Sequence, residues 1–220
     1  MSSDTERLKV GMSELALEIT DLQINSLISY LNTLEETNRS FNLTRIPREE
    51  YVTLHVLDSL LALKALDTGK PLSILDVGTG AGFPGVPLAT LLPHCSISLL
   101  DSTGKKVRFA SEAAQACGLS NVVGIHARAE DLAKRSEHRV HYDVVVSRAV
   151  AAFPKLMEWL LPLTKRGGIA LAMKGVGYEE EMHGSESLLR ELGGSVERVF
   201  QIPLPGTDIT RYLIVVRKKP

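Results

Sequence analysis

The chain has 220 residues, enough to bury the core of one large domain, or of one domain with a smaller attachment. Hydrophobic residues make up 44% and charged residues 23%, as in ordinary globular proteins, and the net charge of -1 argues against wholesale nucleic-acid binding. We find no apolar run of membrane-spanning length, no signal-peptide pattern at the polar start, and no Cys-x-x-Cys pair among the two cysteines. We therefore expect a cytoplasmic, reduced protein without a metal site or a membrane segment.

Residues 1–70 predict a helical cap in front of a second domain. From Ser13 to about Glu36 apolar residues recur every three to five positions, which indicates one amphipathic helix with Ser13 as its N-cap. Another helix is predicted from about Pro47 to about Leu66, because proline suits the first turn of a helix.

Residues 71–220 alternate short apolar runs with helical stretches, the pattern of βαβ units in a parallel sheet. The last two apolar runs are joined by only Pro203–Asp208, too short for a crossover helix, so these two strands should pair antiparallel at the sheet edge. The predicted strands are 72–77, 96–101, 122–126, 143–147, 169–174, 196–202 and 210–217, and the predicted helices are 85–92, 104–117, 129–135, 153–163 and 178–192.

The first predicted strand ends at an acid, Asp76, and runs into a turn with glycines at 78, 80 and 82. Glycine permits positive φ and lets a ligand lie against the main chain. The dinucleotide fingerprint Gly-x-Gly-x-x-Gly needs a third glycine where this chain has Phe83. An acid before the turn would repel a pyrophosphate but suits an ammonium group or sugar hydroxyls, and S-adenosylmethionine carries both. A tight turn without a ligand is the alternative.

Later strand ends carry further candidates. Asp101 follows Gly78 by 23 residues, close to the spacing of about 20 at which an acid binds ribose hydroxyls, although a plain turn residue is the alternative. Ala129 and Glu130 follow the third strand, where an adenine ring would lie; the alternative is an ordinary acidic charge at a helix start.

Arg148 ends the fourth predicted strand after the apolar run 144–146. Open sheets bind ligands at the carboxyl ends of their strands, so Arg148 is a candidate for the acceptor side of a pocket. A structural salt bridge to Asp76 or Asp101 is the alternative. Lys174, after the fifth strand, repeats this arrangement more weakly.

No nucleophile-and-base constellation, metal-spaced cluster or Walker lysine occurs in the sequence. His55 and Asp58 are three apart on one helical face, and such pairs are more often internal hydrogen bonds than catalysts. Methyl transfer needs none of these groups, because an acceptor lone pair attacks the sulfonium methyl in line and the protein mainly positions the two partners.

With these residues assembled, the chain resembles the bacterial small-subunit (16S) ribosomal RNA guanine-N7 methyltransferases, the glucose-inhibited division protein B family. The match covers most of the chain, and its most specific blocks are the Gly-Phe-Pro-Gly extension of the turn and His-Val-Leu-Asp-Ser. The matching stretches are Asn42–Thr44, His55–Ser59, Asp76–Gly85, Lys105-Lys106, Ala129-Glu130, Ser147–Ala149 and Lys174-Gly175.

The resemblance implies a Rossmann-like class I S-adenosylmethionine-dependent methyltransferase fold: a seven-stranded, mostly parallel sheet with a terminal antiparallel strand, preceded by the helical cap. It implies methylation of one guanine in small-subunit rRNA, as naked RNA or in a ribosomal particle. Cofactor binding is predicted for Asp76, Gly78, Gly80, Gly82, Phe83, Asp101, Ala129, Glu130 and Arg148, and RNA binding for Asn42, His55, Lys105, Lys106 and Lys174.

One departure is Thr37-Asn38, where the family commonly has Trp-Asn; a base-stacking contact would then come from Phe41 or Tyr51. Guanine N7 carries an in-plane lone pair and needs no deprotonation, which agrees with the missing general base. We take Arg148 as the catalytic candidate, which either orients the base through guanine O6 or holds the methionine carboxylate.

Three other functions stay open at this point: methyl transfer to a non-RNA acceptor, nucleotide sensing without catalysis and, as the weakest, a nicotinamide dehydrogenase. We expect a monomer, because no exposed apolar face stands out in the sequence.

Overall fold

The computed structural model describes residues 3–148 and 150–220, so Ala149 of the Ser-Arg-Ala stretch lies outside the described residues. The chain begins with two helices, α1 (Asp4–Glu14) and α2 (Asp21–Asn38). The prediction of a single helix capped by Ser13 is therefore wrong. A new helix starts at Asp21 because Thr20 and Gln23 form a capping box, in which each side chain accepts a hydrogen bond from the other residue's backbone N–H.

The second predicted helix is present from Arg48 to Ala65, although its geometry changes along its length. It runs as a 3₁₀ turn, a π-helical stretch (Tyr51–Leu57), an α-helical turn α3 (Asp58–Leu60) and a second 3₁₀ turn (Leu61–Ala65). π-Helical turns are rare and are often found at functional sites. This one carries His55, directly before Asp58 and Ser59 of α3.

Within the described residues, seven strands form one sheet in the order β3-β2-β1-β4-β5-β7-β6. Strands β1 to β5 are parallel, and β7 is antiparallel to both of its neighbours, as predicted for the terminal strand. The strands are β1 (Ser73–Val77), β2 (Ser96–Asp101), β3 (Val122–His126), β4 (Tyr142–Arg148), β5 (Thr164–Lys174), β6 (Gly194–Pro203) and β7 (Thr210–Lys218).

The order in which the chain adds strands to the sheet reverses at β1. Its neighbours are β2 on one side and β4 on the other. In an open sheet, the connections on the two sides of such a point cross opposite faces of the sheet. A crevice then forms between them, beyond the carboxyl ends of these strands. Arg148 ends β4 at this crevice, and Asp76, the penultimate residue of the neighbouring strand β1, is buried next to it in the sheet. The fold alone therefore brings together two of the predicted site residues.

The remaining helices are α4 (Gly85–Leu91), α5 (Gly104–Ala116), α6 (Ala129–Leu132), α7 (Phe153–Leu160), α8 (Tyr178–Met182) and α9 (Glu186–Glu191). The last two replace one predicted helix over 178–192. Gly184, with φ +73°, interrupts the helical path between them. None of the helices among the described residues is long and apolar enough to cross a membrane.

Two hydrophobic clusters cover the two faces of the sheet, and successive strand residues alternate between them. Ile74 belongs to the cluster shared with α1, α2, α4 and α5, whereas Leu75 belongs to the cluster shared with α6, α7 and α9. Side chains from both sides of residue 70 share the first cluster, so the helical cap is packed directly onto the sheet. The division of the chain into domains 1–70 and 71–220 stays a prediction.

Candidate active site

The glycine turn after β1 has positive φ at all three predicted glycines, +75° at Gly78, +58° at Gly80 and +93° at Gly82. They serve different purposes. A Cβ on Gly80 would meet no atom closer than 3.9 Å, so the main chain there is open to a ligand. A Cβ on Gly82 would overlap the Tyr30 hydroxyl, which donates a hydrogen bond to the Ala81 carbonyl at 2.8 Å. Gly82 is therefore required for packing against the cap.

Asp76 organises this turn from beneath. It is fully buried, and its Oδ2 accepts hydrogen bonds from Thr79 Oγ1 at 2.7 Å and from the Gly85 N–H at 2.8 Å. Burial raises the pKa of Asp76 to about 7. Its Oδ1 has no partner among the described residues, and Asp76 lines neither of the two cavities that border the turn. These buried contacts give Asp76 a role in holding the glycine turn in its conformation.

One side of the turn borders a cavity of about 430 Å³, here called the first cavity. Asp101, at the end of β2, lines it and accepts hydrogen bonds from the Gly80 N–H (3.0 Å, Oδ2) and the Thr103 N–H (2.8 Å, Oδ1). Ala129 and Glu130, at the start of α6, border the same space. The predicted ribose and adenine positions therefore face one cavity, together with Gly78, Gly80, Lys106, Arg148 and Trp159.

A larger cavity of about 1020 Å³, the second cavity, lies between the cap and the carboxyl ends of β1, β4 and β5. Its lining includes His55 and Phe83 from the predicted site, and Lys174 at the end of β5. Four residues border both cavities: Gly78, Gly80, Arg148 and Val150. The two spaces therefore meet beside the glycine turn.

Arg148 stands at this junction and is held by the cap. Its Nη1 donates to the Leu54 carbonyl at 2.7 Å and to Asp58 Oδ2 at 2.9 Å, while Nη2 lies 3.3 Å from His55 Nδ1. The structural salt bridge considered from the sequence exists, but its partner is Asp58 rather than Asp76 or Asp101. The reason is topological, because the helical cap folds over the strand ends and brings a residue from 90 positions earlier against Arg148.

Asp58 is almost completely buried and holds a second arginine. Arg211, near the start of β7, donates to Asp58 from Nε at 2.8 Å and from Nη2 at 3.2 Å. One carboxylate thus fixes two guanidinium groups that both line the second cavity. His55 and Asp58, which the sequence predicted to pair, both contact Arg148 and are linked through this shared partner.

His55 is buried under the same arginine and stacks on Phe83, with ring centroids 4.2 Å apart and 10° between the planes. Its Nε2 is 2.9 Å from Thr44 Oγ1. Burial, and next the charge of Arg148, lower the pKa of His55 to about 3, so the ring is neutral near pH 7. Since a guanidinium only donates, Nδ1 is the acceptor from Arg148 and Nε2–H donates to Thr44. Both ring nitrogens are therefore engaged.

The other predicted contacts are spread more widely. Phe83 is buried and borders only the second cavity, which separates it from the predicted adenosyl-binding residues. Lys174 is buried and donates to Glu181 Oε2 at 2.6 Å and to the Ala151 carbonyl. Lys105 and Asn42 are exposed and border neither cavity. Of the two aromatic candidates for stacking, Tyr51 is buried and Phe41 is 48% exposed.

Arg211 and Trp159 are two of the lining residues that were not predicted from the sequence. An arginine near the start of a strand, such as Arg211, carries no distinguishing signal. Trp159 is the single tryptophan of the chain and lies on the amphipathic helix α7, a pattern that usually indicates core packing. Its indole Nε1 is buried without a partner among the described residues, and the ring borders the first cavity. The described residues contain no cluster of three or more His, Cys, Asp or Glu that could hold a metal ion.

Comparison with known proteins gives the family. A sequence model described as "rRNA small subunit methyltransferase G" (GidB) matches residues 23–204. The chain belongs to this family. A relative named ribosomal RNA small subunit methyltransferase G from Alkaliphilus oremlandii is 42% identical over 212 residues, covering 96% of this chain and 89% of that one. Another of the same name, from Desulforamulus reducens, is 39% identical over 219 residues, covering 99% and 91%.

Solved structures support the fold. A SAM-dependent methyltransferase from Aquifex aeolicus aligns with a TM-score of 0.57 at 20% identity, covering 77% of this chain and 93% of that one. A precorrin-6y C5,15-methyltransferase from Geobacter metallireducens aligns with a TM-score of 0.53 at 17% identity, covering 73% and 88%. The predicted family and the Rossmann-like class I fold are confirmed, as are the enzyme class and S-adenosylmethionine as its cofactor.

Proposed function

We propose that this methyltransferase transfers a methyl group to N7 of one guanine in small-subunit ribosomal RNA, with the donor in the first cavity and the guanine in the second. The observation that carries the proposal is the junction of the two cavities at Gly78, Gly80, Arg148 and Val150. A methyl group passes directly between two molecules only if their reacting atoms come within about 3–3.5 Å. Adjoining spaces are compatible with that requirement.

The residues of the first cavity suit S-adenosylmethionine. The open main chain at Gly80 leaves room that a side chain would fill, and Gly80 N–H is already oriented by Asp101. Each carboxylate oxygen of Asp101 accepts one backbone hydrogen bond and keeps a lone pair for a ribose hydroxyl. Ala129 and Glu130 border the same cavity on the β3 side, where their main chain is available to an adenine edge. The bound cofactor supplies a methyl group activated by a sulfonium charge.

In the second cavity, Arg148 is the group that would orient the acceptor. Among the described residues, Nε–H and one Nη2 N–H of Arg148 have no partner, while its remaining donors are bound to the cap. Arginine readily donates to guanine O6. A contact with O6 leaves the N7 lone pair free to attack. An alternative contact, with the methionine carboxylate, is compatible with the same position beside Gly78.

The protein need not move a proton in this reaction. Guanine N7 has a free lone pair, and the product is a cationic purine. His55 is unsuited to general-base catalysis, since its two ring nitrogens are occupied and its pKa is lowered to about 3. We infer that His55, with Asp58, positions Arg148. Catalysis then rests on the orientation of the two reactants.

For the RNA itself, Lys105 and Asn42 are exposed outside the second cavity, and Lys106 borders the first. We infer that these residues contact the sugar-phosphate backbone. Lys174 differs, because Glu181 balances its charge, so its proposed contribution is to the shape of the second cavity. An rRNA substrate also supports the predicted cytoplasmic location, and a monomer acting on RNA or a ribosomal particle stays our proposal.

The proposal is tested with rRNA and small ribosomal particles from a strain that lacks the enzyme. The purified protein and labelled S-adenosylmethionine should transfer one methyl group to a single guanine N7, which is mapped by strand cleavage at the alkylated base. A reaction without the enzyme serves as the control, and Arg148→Ala protein should label the same guanine more slowly. Label on another atom or another class of RNA, or no label on either substrate, would overturn the proposal.

A further inference from the structure

A third space lies outside the two cavities of the active site, between the end of α2 and one face of α5. We call it the apolar hollow; its volume is about 570 Å³. Phe41, Leu43, Phe109 and Ala113 give it an apolar lining, and the exposed Lys105 and Arg108 stand with Glu112 at its rim. Phe41 is 48% exposed, although burying its ring would be favourable. The hollow therefore has the character of a binding surface.

We propose that the apolar hollow binds a nucleobase of the RNA substrate beside the target guanine, stacked on Phe41, with its phosphates on Lys105 and Arg108. This inference rests on the proposed function. Single-stranded RNA is commonly bound by an exposed aromatic ring next to cationic side chains, because every base has a face that stacks and every nucleotide carries a phosphate. Lys105 already stands over the Phe41 ring, with Nζ 5.2 Å from its centroid.

The position of Phe41 relative to the second cavity is fixed by the loop that follows α2. Asn38 Oδ1 accepts hydrogen bonds from the Leu43 N–H (2.8 Å) and the Thr44 N–H (3.0 Å), and Asn38 Nδ2 donates to the Thr44 carbonyl (3.0 Å). Leu43 borders both the hollow and the second cavity, and Thr44 contacts His55. The hollow and the second cavity therefore share Leu43, which places the hollow beside the space proposed for the target guanine.

Charge favours RNA over an apolar protein segment as the occupant. Lys105 and Arg108 lie in the first turns of α5, a helix of 13 residues whose N-terminal end carries a partial positive charge. Among the described residues, Glu112 is the one acidic residue that lies with these two cations at the rim. An apolar peptide would gain nothing from the cations, whereas a nucleotide uses both the ring and the charges.

The first test measures methyl transfer to small ribosomal particles by Phe41→Ala protein. We expect the KM for particles to rise about 5- to 150-fold, with kcat and the Kd for S-adenosylmethionine unchanged, since a stacked base typically contributes about 1–3 kcal/mol. Phe41→Tyr should restore the KM. Leu22→Ala, which removes an 82% exposed apolar side chain elsewhere on α2, is the matched control and should behave as wild type. An unchanged KM in Phe41→Ala would overturn the inference.

The second test identifies the occupant with a Phe41→p-benzoylphenylalanine variant, irradiated in complex with the particle. A crosslink to rRNA near the methylated guanine supports the inference. A crosslink only to a ribosomal protein, or to a second copy of the enzyme, contradicts it. Failure of the proposed function is distinguishable, because wild-type protein would then transfer no methyl group to the particle, whereas failure of this inference alone leaves wild-type protein active and insensitive to Phe41.

Discussion

Asp58 accepts a hydrogen bond from Arg148 in the lining of the second cavity, with 2.9 Å between Oδ2 and Nη1. The same carboxylate binds Arg211 through both of its oxygens, and its side chain is 3% exposed. A buried carboxylate between two guanidinium groups keeps both cations in place and prevents their mutual repulsion. This relationship makes the cap a part of the active site.

Asp58→Asn should reduce methyl transfer about 10- to 100-fold and lower the free energy of unfolding by about 3 kcal/mol, because a buried carboxylate loses its ion pairs with two partly buried guanidinium groups. If Arg148 contacts guanine O6, the Kd for S-adenosylmethionine should change little, since Asp58 lines the second cavity and not the first. Urea unfolding and methyl-transfer rates measure these effects. Asp67→Asn, which removes an exposed ion pair with Lys70, is the control and should match wild type in both assays. A fully active Asp58→Asn protein would contradict the positioning role.

Arg148→Ala should lower kcat/KM for the RNA substrate about 10- to 150-fold, the effect expected from losing a charge-assisted hydrogen bond. Binding of S-adenosylmethionine, measured separately by calorimetry, discriminates between the two proposed contacts. An unchanged Kd indicates a contact with guanine O6, and a weakened Kd indicates the methionine carboxylate. If both turnover and cofactor affinity stay near wild type, Arg148 is only structural and the proposal for this residue fails.

Gly80→Ala and Gly82→Ala should fail in different ways. At Gly80 the new methyl group projects into open space, so we expect a loss of about 1 kcal/mol from positive φ and a cofactor Kd weakened about tenfold or more. At Gly82 it would overlap the Tyr30 hydroxyl, and the protein should lose about 3 kcal/mol of stability. Thermal unfolding and calorimetry distinguish the two. Equal effects of both substitutions on stability would be inconsistent with this division of roles.

His55 should make the fold sensitive to acid. Its pKa in the folded protein, about 3, lies below the ordinary value of 6.5, so the unfolded chain takes up this proton first as the pH falls. The stability contributed by neutral His55 is complete above pH 6.5 and is lost as the pH falls toward 3, about 2 kcal/mol of it by pH 5. In His55→Gln protein this loss of stability at low pH should disappear. His94→Gln, which replaces an exposed histidine, should leave it unchanged.

Buried Asp76 acts in the opposite direction. Its pKa is raised to about 7 in the folded protein, so its protonated form favours folding at low pH and this contribution is lost as the pH rises toward 7. The two groups partly cancel in the wild-type profile. The His55 prediction is therefore read from the difference between variant and wild-type unfolding free energies at each pH. A constant difference between pH 5 and pH 7 would contradict the buried, neutral state of His55.

Much of the fold was predictable because its signals are local. The bounds of β2 and β3 follow from apolar runs, and the short Pro203–Asp208 connection leads directly to the antiparallel β7. The start of α2 was misplaced, although Thr20 and Gln23 carry the capping-box pattern. The apolar periodicity continues through residues 15–20 and hides the break between α1 and α2.

The predictable part of the site is the part that lies at the carboxyl edge of the sheet. Asp101 and Arg148 end strands that topology brings together, so their proximity follows from the fold class. The Asp58–Arg148–Arg211 contacts join residues separated by 90 and 153 positions, and they depend on how the cap folds over the strands. The apolar periodicity of a helix shows which of its faces is buried. It does not show which distant arginine packs against that face.

The central claim is that donor and acceptor occupy two cavities that meet at Arg148. A crystal structure with bound S-adenosylhomocysteine tests it most directly. The account predicts adenosine in the first cavity with its ribose on Asp101, and sulfur beside Gly78 facing the second cavity. Adenosyl density anywhere else, with the main chain at Gly80 left uncovered, would contradict it.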